Sequence, residues 1–375
     1  MNDACAFTAD DESHMRRALA LAAEAIGLSD PNPRVGCVIA GDGWTVEGHT
    51  QAAGQAHAEV MALRMARERG LPLAGATAYV TLEPCAHHGR TPPCCDALIA
   101  AGLGRVVVAL GDPHPQVAGE GLRRLRAAGI HVDTGLFADE SRALNVGFLS
   151  RIERGRPYVR LKIAGSLDGR SALEDGRSQW ITGPEARADG HRWRKRAGAV
   201  LSGIGTVLAD NPRLDVREVP TAHQPLRVIV DARLQTPPTA RLLDPPGTAL
   251  IVAAHDQGPA ADALRARGAD VQAVPTTQGR IDLRALMSML GGRGINELHV
   301  EAGPALNGAL LAAGLVDELL LYQAPLLIGP GRGLAALPPP AQLGDALRFQ
   351  FIDVTCVGPD LRVRARPIAF QEFPQ

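Results

Sequence analysis

Apolar positions recur at helical spacing early in the chain. DESHMRRALALAAEAIG sets Met15, Leu19, Ala22 and Ile26 on one face and predicts an amphipathic helix. RVGCVIA and WTVEG are short and strand-like, separated by the turn signal Gly41-Asp42-Gly43. HAEVMALRMARERG returns to helical spacing, with Val60, Leu63 and Met65 toward a core. ATAYVTL then predicts a buried strand, CDALIAAGL a helix, RVVVAL a strand and GEGLRRLRAAG a helix. This alternation predicts parallel strands with helices on their faces, an α/β fold.

The polar segment RIERGRP, residues 151–157, interrupts the pattern with Gly and Pro and predicts a linker. Two domains follow, over residues 1–150 and 157–375. In the second, YVRLKIAGSLDG, RVIVDA, TALIVAA, ADVQAV and NELHVEA are strand candidates. PEARADGHRWRKRAG, ADALRARG and PALNGALLAAG are helix candidates between them. RFQFIDVTCVGPDLRVRARPI predicts an antiparallel two-stranded ribbon, and the proline-rich segment 235–247 a surface loop.

A length of 375 residues exceeds one ordinary core and agrees with two domains. With 46% hydrophobic and 21% charged residues, the composition is that of a globular protein rather than a disordered one. A net charge of -1 supplies no general attraction to nucleic acid. The start MNDACAFTADDE lacks the basic and apolar regions of a secretory signal, and no apolar run is long enough to span a bilayer. Six cysteines in a chain this long do not form a disulfide scaffold, and three of them, Cys85, Cys94 and Cys95, fall within eleven positions. That crowding points to metal chemistry, and the expected compartment is the cytoplasm.

His57-Ala58-Glu59, followed after a buried strand by Pro84-Cys85 and Cys94, carries the most explicit chemistry. Zinc takes one imidazole and two thiolates and keeps a fourth position for water when its site is catalytic. The ion acidifies that water, and a nearby carboxylate that is not a ligand moves its proton. His57, Cys85 and Cys94 are the candidate ligands and Glu59 the candidate catalytic carboxylate. Taken singly, His57 fits a surface histidine and Cys85 a small buried hydrophobe. Together, in one αβ unit, they match the signature of zinc deaminases. His57 and Cys94 each begin a helix, where partial positive charge favours a thiolate. The usual signature separates its cysteines by two residues, but eight separate Cys85 from Cys94. The insert AHHGRTPP brings His87, His88 and Arg90 beside the metal, as a solvated loop or as a loop that meets a phosphate. Cys94 is favoured as ligand, leaving Cys95 at the helix start.

HAEVMALRMA, GATAYVTLEPCAHHGRTPPCCDALIAAG and DPHPQVAGEGLRRLRAAGI resemble the deaminase half of the bifunctional deaminase/reductases of riboflavin biosynthesis. The long cysteine spacing is that family's own. The resemblance implies a cytidine-deaminase-like αβα domain that hydrolytically deaminates a diaminopyrimidine ribosylamine 5′-phosphate. It also implies that Asn32 and His49 contact the substrate.

The second half has no G-x-G-x-x-G, since SGIGTVLAD carries Gly203 and Gly205 but Leu208 in the third place. Two glycine-bearing strand-to-helix turns, GIGTVLADNP and VEAGPALNGALL, are either ordinary connections or phosphate-holding turns. LKIAGSLDGR, SQWITGPEAR, GTVLADNPRLDVR, VIVDARL, VEAGPALNGALL and VDELLLYQAPLLIG are similar to the reductase half of the same family. The resemblance implies a dihydrofolate-reductase-like α/β domain that binds NADPH and reduces a ribosyl group to ribityl. Implied cofactor contacts are Ala164, Trp180, Thr206, Asp210 and the turn Gly303, Pro304, Ala305, Leu306, Asn307, Gly308 and Ala309. Implied substrate contacts are Ser178, Arg194, Leu214, Arg217 and Glu301, with the two arginines suited to phosphate. Asp210 is the candidate proton donor. The family associates through its reductase half, so a homodimer or homotetramer is expected.

The rival readings are a zinc deaminase of nucleosides or tRNA with a non-catalytic second domain, a structural zinc module, and a deaminase carrying a degenerate reductase. The first needs aromatic stacking residues, and three Trp, three Tyr and seven Phe offer few. The second needs a fourth ligand, such as Cys95, and leaves Glu59 without a purpose. The intact EAGP and LADNP strings speak against the third.

Overall fold

The computed structural model describes residues 7–87, 92–114 and 118–368. It divides into two compact units, Met1–Gly155 and Arg156–Gln375.

In the first unit the order is α1 (Ala9–Glu24), β1 (Gly36–Gly41), β2 (Trp44–His49), α2 (Ala58–Glu68), β3 (Thr77–Val80), α3 (Cys94–Ala100), β4 (Arg105–Val108), α4 (Glu120–Ala127), β5 (His131–Thr134), α5 (Ala138–Leu144) and α6 (Val146–Arg154). Thr8 caps α1 by accepting the Asp11 N–H at 3.1 Å, while the Asp11 carboxylate accepts the Thr8 N–H. Met15, Ala18, Leu21 and Ala22 form the buried face of α1; Leu19 and Ile26 are only half-buried.

The sheet order is β2-β1-β3-β4-β5. The expected parallel sheet is confined to β3, β4 and β5, because β1 runs antiparallel to both β2 and β3. β1 and β2 are joined by a tight turn, with no crossover helix to return the chain in parallel. Successive strand residues serve opposite faces. Cys37, Ile39 and Val80 pack with α2 residues, whereas Val38, Tyr79 and Val107 pack with Met15 and Leu21 of α1. The result is an αβα sandwich. The core face of α2 consists of Ala58, Ala62, Leu63 and Ala66. Val60 and Met65, expected in the core, are half-buried at its margin. The expected linker is also shorter, because Arg151–Arg154 form the last turn of α6, ended by Gly155 at φ 67°.

The second unit comprises β6 (Tyr158–Ser166), β7 (Arg170–Leu173), α7 (Pro184–Arg196), β8 (Ala199–Gly203), α8 (Ile204–Asp210), β9 (Leu226–Val230), β10 (Ala249–Ala253), α9 (Pro259–Ala266), β11 (Asp270–Ala273), β12 (Thr276–Thr277), β13 (Arg280–Ile281), α10 (Leu283–Gly292), β14 (Glu297–Val300), α11 (Pro304–Ala312), β15 (Glu318–Ala324), β16 (Gly331–Gly333), β17 (Phe349–Val357) and β18 (Asp360–Pro367). Its main sheet has the order β11-β10-β9-β8-β14-β6-β15-β18-β17. Pairing is parallel from β11 through β15 and antiparallel for β18 and the edge strand β17. β8 adds a central strand that the hydrophobic pattern did not single out, since AVLSG is short and has a single β-branched residue. Segment 235–247 is not a plain surface loop. Thr236 donates to Asp231 at 2.7 Å, and Ala240 and Leu242 are buried.

Candidate active sites

In the first unit, His57 is the N-cap of α2 in extended conformation, and Cys94 opens α3 behind Pro93. Cys85 lies on the turn after β3. The His57 Nδ1 is 3.6 Å from the Cys85 Sγ and 3.3 Å from the Cys94 Sγ, and the three ligand atoms lie within 4.8 Å of one another. A tetrahedral zinc ion with ordinary bond lengths separates such atoms by about 3.5–3.8 Å. The donor set and its spacing therefore fit zinc, with one position left open.

Glu59 is buried, at 3% exposure, one residue into α2 from the His57 cap. Burial and the adjacent Cys85 sulfur push its carboxyl up to about 7. The proton shared with Cys94, together with His57, brings the Cys85 thiol down to about 4 despite burial. The Cys94 N–H also donates to the Cys85 sulfur at 3.3 Å. The same sharing with Cys85, together with burial, holds the Cys94 thiol above the usual range. Cys95 is outside the ligand group. It is fully buried in the apolar core, its Sγ 3.5 Å from Asp96 Oδ1.

His57, Glu59 and Cys85 open into a cavity of about 460 Å³ whose wall includes Asn32, His87, Asp112 and His114. His49 does not line it. It ends β2 with its Nδ1 3.8 Å from Glu24, one residue before Thr50, which does line it. His88 and Arg90 lie outside the described residues. Glu83, Asp112 and His114 line the cavity although sequence reasoning gave them no role. Their signal, LEP and DPH, lay inside strings already quoted for resemblance.

The second unit holds a cavity of about 790 Å³ at the carboxyl ends of adjacent parallel strands. The turns β8–α8 and β14–α11 meet there, with Gly203 and Gly303 as extended N-caps. Ala164, Ser178, Thr206 and Asp210 line it, as does Glu301. So do Gly303, Pro304, Ala305, Leu306, Asn307 and Ala309. Gly308 does not, for it faces the opposite way: a Cβ there would lie 2.0 Å from the Ala336 carbonyl oxygen. Burial raises the Asp210 carboxyl, with Arg332 opposing.

Trp180, Arg194, Leu214 and Arg217 are not in the cavity wall. Trp180 is 66% exposed beneath Arg187, and Leu214 packs into the core. Arg217 pairs with Asp215 at 2.8 Å. Arg194 forms a two-pronged pair with Glu301, one bond at 2.9 Å, and donates to the Asp215 carbonyl at 2.8 Å. Burial acts to raise the Glu301 carboxyl, but Arg194 holds it well below the carboxylate range. Lys162, which the sequence reading passed over, faces the same cavity. Burial lowers its pKa, Glu301 raises it and Arg194 lowers it further. Its signal was a cation inside the otherwise apolar strand YVRLKIAGS. Arg160 gives the same signal but serves a buried ion network with Glu297 and Glu318.

The profile of the RibD C-terminal domain matches residues 157–363, and that of the cytidine and deoxycytidylate deaminase zinc-binding region matches residues 8–110. The riboflavin biosynthesis protein RibD of Escherichia coli (strain K12) is 49% identical over 366 residues, covering 94% of this chain and 98% of that one. The Haemophilus influenzae protein of the same name is 43% identical over 381 aligned positions, covering 96% and 98%. Among solved structures, Acinetobacter baumannii RibD superposes with a TM-score of 0.87 at 42% identity, covering 96% of this chain and 99% of that one. A diaminohydroxyphosphoribosylaminopyrimidine deaminase/5-amino-6-(5-phosphoribosylamino)uracil reductase from Thermotoga maritima gives 0.86 at 32% identity, with the same coverage. Two cavities, each in a unit matched by its own profile, define a bifunctional enzyme with a zinc-binding deaminase half and a reductase half. The chain belongs to the RibD family of riboflavin-biosynthesis proteins. Its second half is therefore not the non-catalytic appendage of a nucleoside or tRNA deaminase.

Proposed function

We propose that the first unit deaminates 2,5-diamino-6-ribosylamino-4(3H)-pyrimidinone 5′-phosphate and that the second reduces the ribosyl group of the product with NADPH. The observation that carries this reading is the convergence of His57, Cys85 and Cys94 beside buried Glu59. His57, Cys85 and Cys94 would hold one zinc ion, which would supply an acidified water at its open position. Glu59 takes the proton of that water and returns it to the leaving nitrogen. A C–O bond forms, the C–N bond breaks, and ammonia departs. Asn32 contacts the pyrimidine from the cavity wall, and His49 acts from just outside it.

In the second unit, Ala164, Thr206, Asp210 and the cavity-facing residues of the turn, Gly303 to Asn307 and Ala309, would hold the cofactor. NADPH bound there would supply the hydride for C1′ of the open-chain imine. Lys162, beside Glu301 in the cavity wall, joins Asp210, whose carboxyl burial raises, as a source of the proton that the imine nitrogen needs. Ser178 and Arg217 contact the substrate, and Arg194 acts by orienting Glu301. Trp180 and Leu214 serve at the margins, through movement of the former and packing of the latter.

Association through the second unit as a homodimer or homotetramer fits its edge strand β17, on which Phe351 is 71% and Val354 55% exposed. Among the described residues no helix is long and apolar enough to cross a membrane, and we place the enzyme in the cytoplasm. Replacing Glu59 with Gln tests the deaminase assignment. Loss of deamination with zinc still bound is expected, whereas a variant that keeps most of its activity removes Glu59 from the mechanism.

A further inference from the structure

Glu83 stands between β3 and the ligand turn Pro84-Cys85, and its side chain is buried, at 4% exposure. Its Oε2 accepts the N–H groups of Asp112 at 3.2 Å and Gly119 at 3.1 Å. Its Oε1 accepts those of Gly121 at 3.0 Å and Leu122 at 3.3 Å. The Glu83 N–H donates to the Leu110 carbonyl at 2.8 Å. One carboxylate therefore grips both ends of the segment that joins β4 to α4. The first turn of α4 also lies directly on the ligand turn, since a Cβ on Gly121 would come within 2.1 Å of the Pro84 oxygen.

That segment carries two groups of the cavity wall, Asp112 and His114, and Asp112 Oδ1 accepts the His114 N–H at 2.8 Å. A carboxylate has the lone pairs for four donors. A glutamine offers one oxygen, and its NH₂ would oppose two of the N–H groups.

We propose that Glu83 is a positioning residue for the deamination, holding Asp112 and His114 in register with the metal-ligand turn through these four N–H bonds. This rests on the assignment of the first cavity as the deaminase site. Glu83 touches no reacting atom. It acts through the segment it holds, so its loss is felt in substrate binding and not in metal retention.

The test uses the full chain with zinc bound. Glu83→Gln is expected to raise the KM for deamination by roughly tenfold, while zinc content and the reductase rate stay at wild-type levels. Combining it with Asp112→Asn is expected to raise KM by less than the product of the two single effects, because Glu83 acts partly through the segment that carries Asp112. An unchanged KM, loss of zinc, or effects that multiply would overturn the proposal. Should Glu83→Gln not accumulate, Glu83→Asp, with its charge withdrawn by one methylene, is expected to raise KM at full zinc content; an unchanged KM overturns the proposal equally. Glu59→Gln is measured in parallel. If it is active, the site assignment fails. If it is inactive and Glu83→Gln is unperturbed, only the positioning role fails.

Discussion

At the scale of the residue, neighbouring side chains of the same type have separate fates. Cys94 belongs to the ligand group and Cys95 to the apolar core. Cys94→Ser is expected to lower bound zinc and Cys95→Ser to leave it unchanged, by metal analysis of purified protein; the reverse result moves the ligand by one position. Arg194 changes meaning more sharply. As a helix arginine it suggested a phosphate contact, but its guanidinium is committed to Glu301. Removing one partner of this half-buried pair strands the other charge at the cavity wall and costs on the order of 1–3 kcal/mol. Arg194→Ala is therefore expected to lower both stability and the reductase kcat. Glu301 is depressed below its unfolded value, so the pair contributes fully above that unfolded pKa and loses its contribution as pH falls through the folded one. Urea unfolding from about pH 7 down to about pH 3 should show this acid-side loss in the wild type and not in Arg194→Ala. Equal slopes in the two proteins contradict the pairing.

At the scale of the element, the long periodic helices and the buried strands were readable from the chain because each signals itself locally. The antiparallel pairing of β1 with β3 and the central strand β8 were not. The first depends on a partner distant in the chain, and the second has too little β-branched character to stand out. The candidate zinc ligands were legible because metal chemistry restricts residue type, and the structure brings the three together. Lys162 was not, since a cation in a strand reads the same whether it faces a cavity or an ion network, as Arg160 does. Gly308 read as part of a cofactor turn, yet its lack of a side chain lets α11 approach the Ala336 backbone. Gly308→Ala is expected to shift that helix and weaken NADPH affinity at least roughly tenfold, with deamination untouched. Unchanged affinity in a titration would mean that the close approach is dispensable.

At the scale of the molecule, two compact units carry two chemistries with different requirements. Stripping zinc with a chelator is expected to abolish deamination while sparing reduction of the deaminated substrate, and returning zinc should restore the first activity alone. A reductase that fails with the metal would mean the two halves do not work independently. The most direct test of the whole account is a mass-resolved incubation of the purified protein with the diaminopyrimidine ribosylamine phosphate, with and without NADPH. The account predicts that oxygen replaces the amine in both samples and that two hydrogens are gained only when NADPH is present. Deamination that is never followed by reduction would contradict it.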